Sequence, residues 1–515
     1  MRNDENGFHG ANWLGLYIQE GLQGPWDGKR FGIYCLANGT VKGAADFPDL
    51  GGGYLGIPSF PKDHRWLKIV RRESRFQAFT SADGKTWQKA MEQILPTCKK
   101  DIHAGLLFRS VPGKSRSLFY GSFDNVTLTP DVPQESRQAI RREDLPRFGQ
   151  VTALVQASTT NTLYARTNGK GLLKSTDGGE SWQPANAGLT TPDALVVRSV
   201  AVHPKDDSIV LWGSGCVVDG KLKSGLFRSA DRGKSWKRVS ADIDFDGQGP
   251  TTIFGEVIAF NPGNPGVVAA AGETGGLFFS RDAGETWENV GLKRERVTCL
   301  SFVPTTQEEG GVLIVGTFDD REFETLGLGK PVSPVKTPGR IYWVGAKAGK
   351  PTFRPSLEAE DFGITNIGHD VHENFVTFAT TRSVYYTWQH GNVFAQRLYN
   401  LPADMLYTAL GYRQFMKETR VGESRTKSTT YAAPFSGQEK SPVYCVPERT
   451  TGIWSILSGN AQVETQGSTV TLNAGITCIL PDKDQENTLY LCNRHGVFKS
   501  ADKGKSYKLI LTRSP

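Results

Sequence analysis

Glu256, Glu273 and Asp319 are the carboxylates whose settings in the sequence could support chemistry. Apolar strand starts recur at Val151, Val197, Gly255, Val297, Ile364, Leu406 and Ile476. Aligning them puts Thr152, Arg198, Glu256, Thr298, Thr365, Tyr407 and Thr477 at the second strand position. Threonine is the default there, so Arg198, Glu256 and Tyr407 are departures from the repeat. Glu273 interrupts the Gly-rich turn Ala271–Gly276 and is expected at the strand top beside Glu256, with Asp319 and Asp320 in the next repeat. Crowded carboxylates drive each other's pKa values apart, which yields the acid/base pair that glycoside hydrolysis requires. Glu256, Glu273, Asp319 and Tyr407 are therefore the catalytic candidates. Arg198, Arg296, Arg382, Arg413 and Arg494 could grip a carboxylate-bearing substrate through paired N–H donors. The same groups could equally be loop charges satisfied by one another.

The elements that must hold these residues are set by a repeat. Ser-x-Asp-x-Gly-x-(Thr/Ser)-(Trp/Tyr) occurs at Ser175–Trp182, Ser229–Trp236, Ser280–Trp287 and Ser500–Tyr507, with a shorter copy at Ser81–Trp87. This is hairpin-turn chemistry: Asp and Ser/Thr side chains bond turn amides, Gly takes positive φ, and the aromatic opens the returning strand. Asp177 to Asp231 spans 54 residues and Asp231 to Asp282 spans 51, while Asp282 to Asp502 spans 220, four steps of 55. Each repeat reads as an inner strand, a Pro/Asp/Asn turn, a second strand and a Gly-Leu-Phe start before the motif. Four-stranded meanders repeating about every 54 residues predict seven radially arranged sheets over 147–515.

Composition agrees with an all-β reading. The 515 residues include 58 Gly and 27 Pro, with 22% charged and 38% hydrophobic residues, which suits turn-rich globular structure. No stretch reaches the roughly 18 apolar residues of a membrane helix, so no membrane span is expected. A net charge of +7 without a dense basic tract gives no argument for nucleic acid, and Ser136–Arg142 reads as a solvated linker. Seven cysteines leave at least one unpaired within the chain; Cys478 and Cys492 fall on expected neighbouring strands, which leaves one disulfide open. Phosphate-loop, dinucleotide, nucleophile-elbow and zincin motifs are absent, and His369-Asp-Val-His372 falls at an expected lower turn, so no cofactor or metal is expected.

The Ser-x-Asp motifs match the Asp box of the sialidase-like and sortilin-like β-propeller superfamily. Residues 1–130 do not fit the lattice. Their segments Ala11–Ile18, Trp66–Arg71, Phe76–Trp87, Ala104–Ser110 and Phe119–Leu128 resemble the concanavalin A-like jelly-roll domains attached to extracellular carbohydrate enzymes. The fold implied is all-β, a seven-bladed Asp-box β-propeller (147–515) preceded by a concanavalin A-like β-sandwich (1–130) and a linker (131–146). Such jelly rolls carry one or two further strands ahead of Ala11–Ile18, so the first domain is expected to begin part-way through, its secretion signal lost. A secreted or cell-surface location follows from the resemblance.

Within the superfamily, sialidases need an Arg-Ile-Pro-type motif, a Tyr–Glu pair and three arginines. The nearest motif here is Leu145-Pro-Arg147, and Tyr407 lies three repeats from Glu256. Asp-box xyloglucanases set two seven-bladed propellers face to face, and this chain has room for one. Sortilin-like receptors and photosystem assembly factors share the box and bind proteins. Two insertions, 317–339 and 412–441, are long enough to bind a protein partner, the second rich in Arg413, Lys417, Arg420, Arg425 and Lys427. The expectation is a glycan-recognising or glycan-cleaving protein, of glycoside hydrolase or polysaccharide lyase type if enzymatic and on an acidic glycan, acting at the propeller funnel. The alternative is a non-catalytic scaffold built on the insertions.

Overall fold

The structure is a computed structural model. It describes residues 140–303, 311–328, 339–346, 351–359, 363–369, 376–388, 393–396, 401, 405–419, 423–436, 442–447, 455–458, 462–465, 468–472 and 475–512, and, ahead of these, 2–3, 13–19, 30–36, 41–46, 63–72, 75–94, 103–109, 121–122 and 127. The chain divides into two compact units. The first comprises Met1–Glu135, Tyr385–Leu401 and Arg449–Trp454; the second comprises Ser136–Val384, Pro402–Glu448 and Ser455–Pro515.

In the first unit, Val41–Asp46, Arg30–Leu36, Trp13–Gln19 and His103–Arg109 form one antiparallel sheet in that order. Trp66–Arg72, Arg75–Ser81 and Gln88–Ile94 form a second, extended by Val393–Gln396. Phe31 and Phe76, from the two sheets, lie 5.6 Å apart between ring centres and are buried with Ile18, Ile33, Val70 and Ala78. Arg75–Ser81 is buried on both faces, Arg75, Gln77 and Ser81 as well as Phe76, Ala78 and Thr80.

The second unit is a succession of four-stranded antiparallel meanders. Sheet one is Val151–Gln156, Leu163–Thr167, Leu172–Ser175 and Gln183–Pro184. Sheet two is Val197–Val202, Val210–Val218, Lys221–Ser229 and Lys237–Ser240. Sheet three is Ile258–Phe260, Val268–Ala271, Leu277–Ser280 and Glu288–Gly291. Sheet four is Arg296–Val303, Val312–Phe318, Gly339–Gly345 and Thr352–Ala359. Ile364–His369 pairs with Val376–Thr380 as the start of sheet five. Sheet six is Tyr407–Thr419, Glu423–Pro434, Val443–Pro447 and Ser455–Ser458. Sheet seven is Cys478–Pro481, Leu489–Asn493, Gly496–Ser500 and Lys508–Thr512. First strands touch in sequence order, and the last returns to the first, so the sheets close into a ring.

The recurrent turn is built as its residue types demand. In sheet three, Ser280 Oγ donates to Asp282 Oδ1 (2.7 Å) and accepts from Gly284 N (2.8 Å), while Thr286 Oγ1 donates to Asp282 Oδ2 (2.5 Å). Ala283 and Gly284 both take left-handed φ, 56° and 90°, the backbone a tight hairpin needs.

First strands share a second device, a β-bulge near their start. The extra residue is Thr152, Arg198, Thr298 and Thr365 in sheets one, two, four and five. Register places Glu256 and Thr477 at the same level, two residues before Ile258 and Ile479. Sheet six corrects one expectation. Tyr407 pairs with Pro434 and Ala409 with Ala433, so the bulged residue is Thr408 and Tyr407 precedes it. Tyr407 itself takes the part that Val151 plays in sheet one, and an alignment on Leu406 is one residue early. The departures from threonine are therefore only Arg198 and Glu256.

The insertion of sheet six is not an irregular loop. Beyond the bulge its first two strands run on as a ribbon, paired continuously from Ala409–Ala433 out to Thr419–Glu423. The sheet-four insertion opens with the short helix Asp320–Thr325. His372 lies outside the described residues.

Candidate functional site

At the ring centre the bulged residues link neighbouring sheets. Thr298 Oγ1 donates to Ile364 O (2.5 Å), and Thr365 Oγ1 donates to Tyr407 O. Each acceptor is the residue just before the next sheet's bulge. Arg198 makes the same link from Nη1 to Gly255 O (2.9 Å) and reaches past sheet three with Nη2 to Thr298 O (3.0 Å). The Glu256 side chain instead turns back toward sheet two. Its carboxylate accepts from Ser199 Oγ (2.6 Å) and Val200 N (2.9 Å) and faces Arg166 Nε at 3.4 Å. Arg166, from the second strand of sheet one, donates to Arg198 O, Thr252 O (3.3 Å) and Phe254 O (3.1 Å). Burial, with Arg166 adjacent, pulls the Arg198 guanidinium down to about 10. Glu256 is the counter-charge of this buried arginine pair.

A second network lies in the loops joining sheets two, three and four. The Gly272–Gly276 turn is pinned by Glu273 N donating to Asp244 O (2.8 Å) and Thr274 N to Asp244 Oδ2 (3.1 Å). Glu273 Oε2 accepts from Thr251 Oγ1 (2.9 Å), and Oε1 meets Arg296 Nη1. Arg296 also donates to Glu273 O (2.7 Å) and, through Nε, to Asp320 Oδ1 (2.8 Å). Phe323 lies 5.7 Å beneath its guanidinium. Asp246 Oδ1 accepts from the amides of Gln248 and Gly249, both 2.9 Å, at the start of the turn Pro250–Ile253. Burial pushes the Glu273 carboxyl up to about 7; Arg296 pulls it back and Asp246 pushes it further. Burial also raises Asp246. The cluster thus holds a carboxyl that exchanges its proton near neutrality beside a second carboxyl, and a guanidinium fixing both Glu273 and Asp320.

The nine residues singled out by sequence do not form one constellation. Glu273 and Arg296 meet directly. Glu256 is held by its own arginine, although both Glu256 and Glu273 act on the charge of Arg198. Asp319 is fully buried, and its neighbour Asp320 is the residue paired with Arg296. Tyr407 is fully buried, and burial pushes its phenol well above the usual tyrosine range. Arg382 is buried, its backbone bonded to Thr380 Oγ1 and Met405 N. Arg494 is half-buried on a turn shaped by Asn493. Arg413 sits on the sheet-six ribbon opposite Thr429. Arg166, Asp246 and Thr251 were missed, while Asp320, read from the sequence only as a neighbour of Asp319 in the carboxylate cluster, is the one that meets Arg296. Arg166 had a readable signal: its register equivalents are Gly213, Gly316, Ala379, Ala433 and Cys492, all small. Among the described residues no cluster of three or more His, Cys, Asp or Glu side chains could hold a metal.

No family model matches the chain. It is 27% identical over 197 residues to an oligoxyloglucan-reducing end-specific xyloglucanase of Emericella nidulans, covering 38% of this chain and 22% of that one. A xyloglucanase of Acetivibrio thermocellus is 29% identical over 139 residues, 23% of this chain and 16% of its own length. The chain therefore spans about a fifth of the curated relatives it matches. Among solved structures, the GH74 enzyme of Niastella koreensis aligns with a TM-score of 0.55 at 14% identity, covering 73% of this chain and 56% of that one. The GH74 xyloglucanase of Xanthomonas campestris aligns at 0.54 and 14%, covering 71% and 53%. The ring of sheets is a β-propeller.

Proposed function

We propose that this chain is a carbohydrate-directed β-propeller of glycoside-hydrolase type, acting on a polysaccharide at the loops joining sheets two, three and four. Glu273 carries the reading. A carboxyl pushed up to about 7 is still about half protonated at neutral pH and can give its proton to a leaving glycosidic oxygen, which is how buried carboxyls serve as general acids. Arg296 positions it, and Thr251 orients its second oxygen. The sequence similarity to xyloglucanases supports a plant-type β-glucan as the first substrate to try, ahead of an acidic glycan. In this reading the propeller has seven blades with Asp boxes over 147–515, residues 1–130 are a concanavalin A-like module joined by 131–146, and the protein works at or outside the cell surface.

The test is release of reducing ends from xyloglucan and from a panel of acidic polysaccharides. Activity should fall as pH rises above about 7, where Glu273 loses its proton. Glu273→Gln should lower the rate by about 100-fold or more while substrate still binds. Full activity with an unaltered pH profile in that variant would sink the assignment.

The sheet-six ribbon favours a second reading. Its strands of 13 and 12 residues are longer than any other strand described in the second unit, and it carries the basic run from Arg413 to Lys427. If no glycan is bound or cleaved, and shortening the ribbon to a tight turn at Tyr412 and Thr430 dissociates an oligomer, the protein is a scaffold.

A further inference from the structure

Sheet seven places two thiols face to face. Cys478 opens its first strand and pairs in register with Cys492 on the second. At the same level the other ladders read Ala153 with Arg166, Ser199 with Gly213, Cys299 with Gly316, Asn366 with Ala379 and Ala409 with Ala433. Two sulfurs meet in sheet seven alone among these. Both thiols are free, and they hydrogen-bond to each other. Directly opposed β-carbons lie about 4.5–5.5 Å apart, and a disulfide brings them to about 3.5–4.5 Å, so roughly 1 Å of strand approach closes the bond.

The pair is also asymmetric. Cys478 is partly exposed, and Leu154 N of sheet one donates to its Sγ at 3.5 Å. The hydrogen bond from Cys492 lowers its thiol most, and the Leu154 amide and the charge of Arg166 add to this against the upward push of burial. Cys492 is fully buried, and burial raises its thiol. The first is fitted to attack and the second to resolve. Cys299 is an internal control: it faces a glycine, and burial pushes its thiol up to about 12.

We propose that Cys478 and Cys492 form a reversible redox pair oxidised by hydrogen peroxide. The Cys478 sulfur attacks one peroxide oxygen, the O–O bond breaks, and water leaves, with Cys478 carrying S–OH. The Cys492 sulfur then attacks Cys478, the S–O bond breaks, and a second water leaves with the Cys492 proton. Two thiols lose two electrons, and one peroxide becomes two waters. The partly exposed Cys478 sulfur leaves the link open to attack by a dithiol, which makes it a switch rather than a staple. It acts where sheets one and seven meet, because closure withdraws the acceptor from the Leu154 amide.

Peptide mapping of the full chain tests this. Cleavage after Lys483 and Arg494 puts the two cysteines on separate peptides. Reduced protein exposed to peroxide and then alkylated should yield the 450–483 and 484–494 peptides joined, about 2 Da lighter than their sum, and dithiothreitol should separate them. Cys478 should be consumed at least roughly tenfold faster than Cys299. In Cys492→Ser, dimedone should trap the sulfenic acid on Cys478. Two alkylated peptides after peroxide, or oxidation of Cys299 as fast as Cys478, overturns the proposal. Should the variant not fold, the wild-type peptide map decides alone.

Discussion

Two glutamates on adjoining segments show how environment separates identical side chains. Glu256 faces Arg166, the Ser199 hydroxyl and a backbone amide, while Glu273 is buried deeply enough that its pKa rises from 4.5 to about 7. Between those values the folded state holds a proton that the unfolded chain has released. Stability contributed by this residue is therefore present below about pH 4.5 and lost as pH rises through 7. Glu273→Gln should become more stable relative to the parent by on the order of 2–3 kcal/mol between pH 5 and pH 8. Urea unfolding at several pH values measures it, and a pH-independent difference would contradict the buried-acid assignment. Glu256 predicts the opposite kind of behaviour, a coupling. Glu256→Thr restores the repeat's default residue but leaves Arg166 buried without its counter-charge, which should cost about 3–5 kcal/mol. Arg166→Ala restores the small residue usual at its own position. The double variant should be more stable than the Glu256→Thr single, and additive losses in a double-mutant cycle would show that the two do not form a unit.

Elements were legible where the information is local. The Ser-x-Asp turns follow from adjacent residues, and all four long copies adopt one bonding pattern. The bulge register was readable in six sheets and missed in sheet six, because Leu406-Tyr-Thr offers an apolar start one residue before the true one. The candidate site was half legible. Glu273 announced itself by breaking a turn pattern and Arg296 was one of five candidate arginines, whereas Asp246 and Thr251 act through a loop closing onto a turn some 22–27 residues later, a pairing set by tertiary contact. The turns carry their own prediction. Hydrogen bonds hold their aspartates below the ordinary value of 3.8, to about 2 at Asp231, Asp282 and Asp502, against the upward push of whatever burial each has. Their contribution is present above about pH 4 and lost as pH falls through 2. Acid unfolding should start below pH 4, and Asp282→Asn should move its midpoint upward toward neutrality. A variant that unfolds in acid at the parental midpoint would mean the turns do not report on stability.

A ring of sheets must close, and here the closure shares no strand. Sheets one and seven are each built from four strands consecutive in sequence, so side chains and packing alone join them. Lys483 N donates to Gln156 Oε1 (2.9 Å), and Gln156 Nε2 donates to Asp482 Oδ2 (3.1 Å). Lys499 Nζ reaches Gly178 O at 2.9 Å. Val151, Leu154, Leu163, Tyr490 and Val497 supply the apolar contact. Sheets two to four, by contrast, share one large core including Leu211, Phe260, Val268, Leu277, Leu313 and Val344. An opening that separates sheets one and seven breaks no backbone ladder, while one between strands within sheet three or four must break a ladder and uncover that core. Local opening takes the cheaper route. Hydrogen exchange should therefore release the Leu154 and Lys483 amides, which bond across the seam, before the ladder amides of Val268–Ala271 and Val312–Phe318. Gln156→Ala removes the acceptor of the Lys483 amide and one of the donors to Asp482 Oδ2, which Tyr490 OH still reaches, and should cost about 1 kcal/mol and speed exchange at the seam while leaving sheets three and four unchanged. If exchange instead accelerates uniformly around the ring in that variant, the propeller opens as one cooperative body and the closure between sheets one and seven is no weaker than any other.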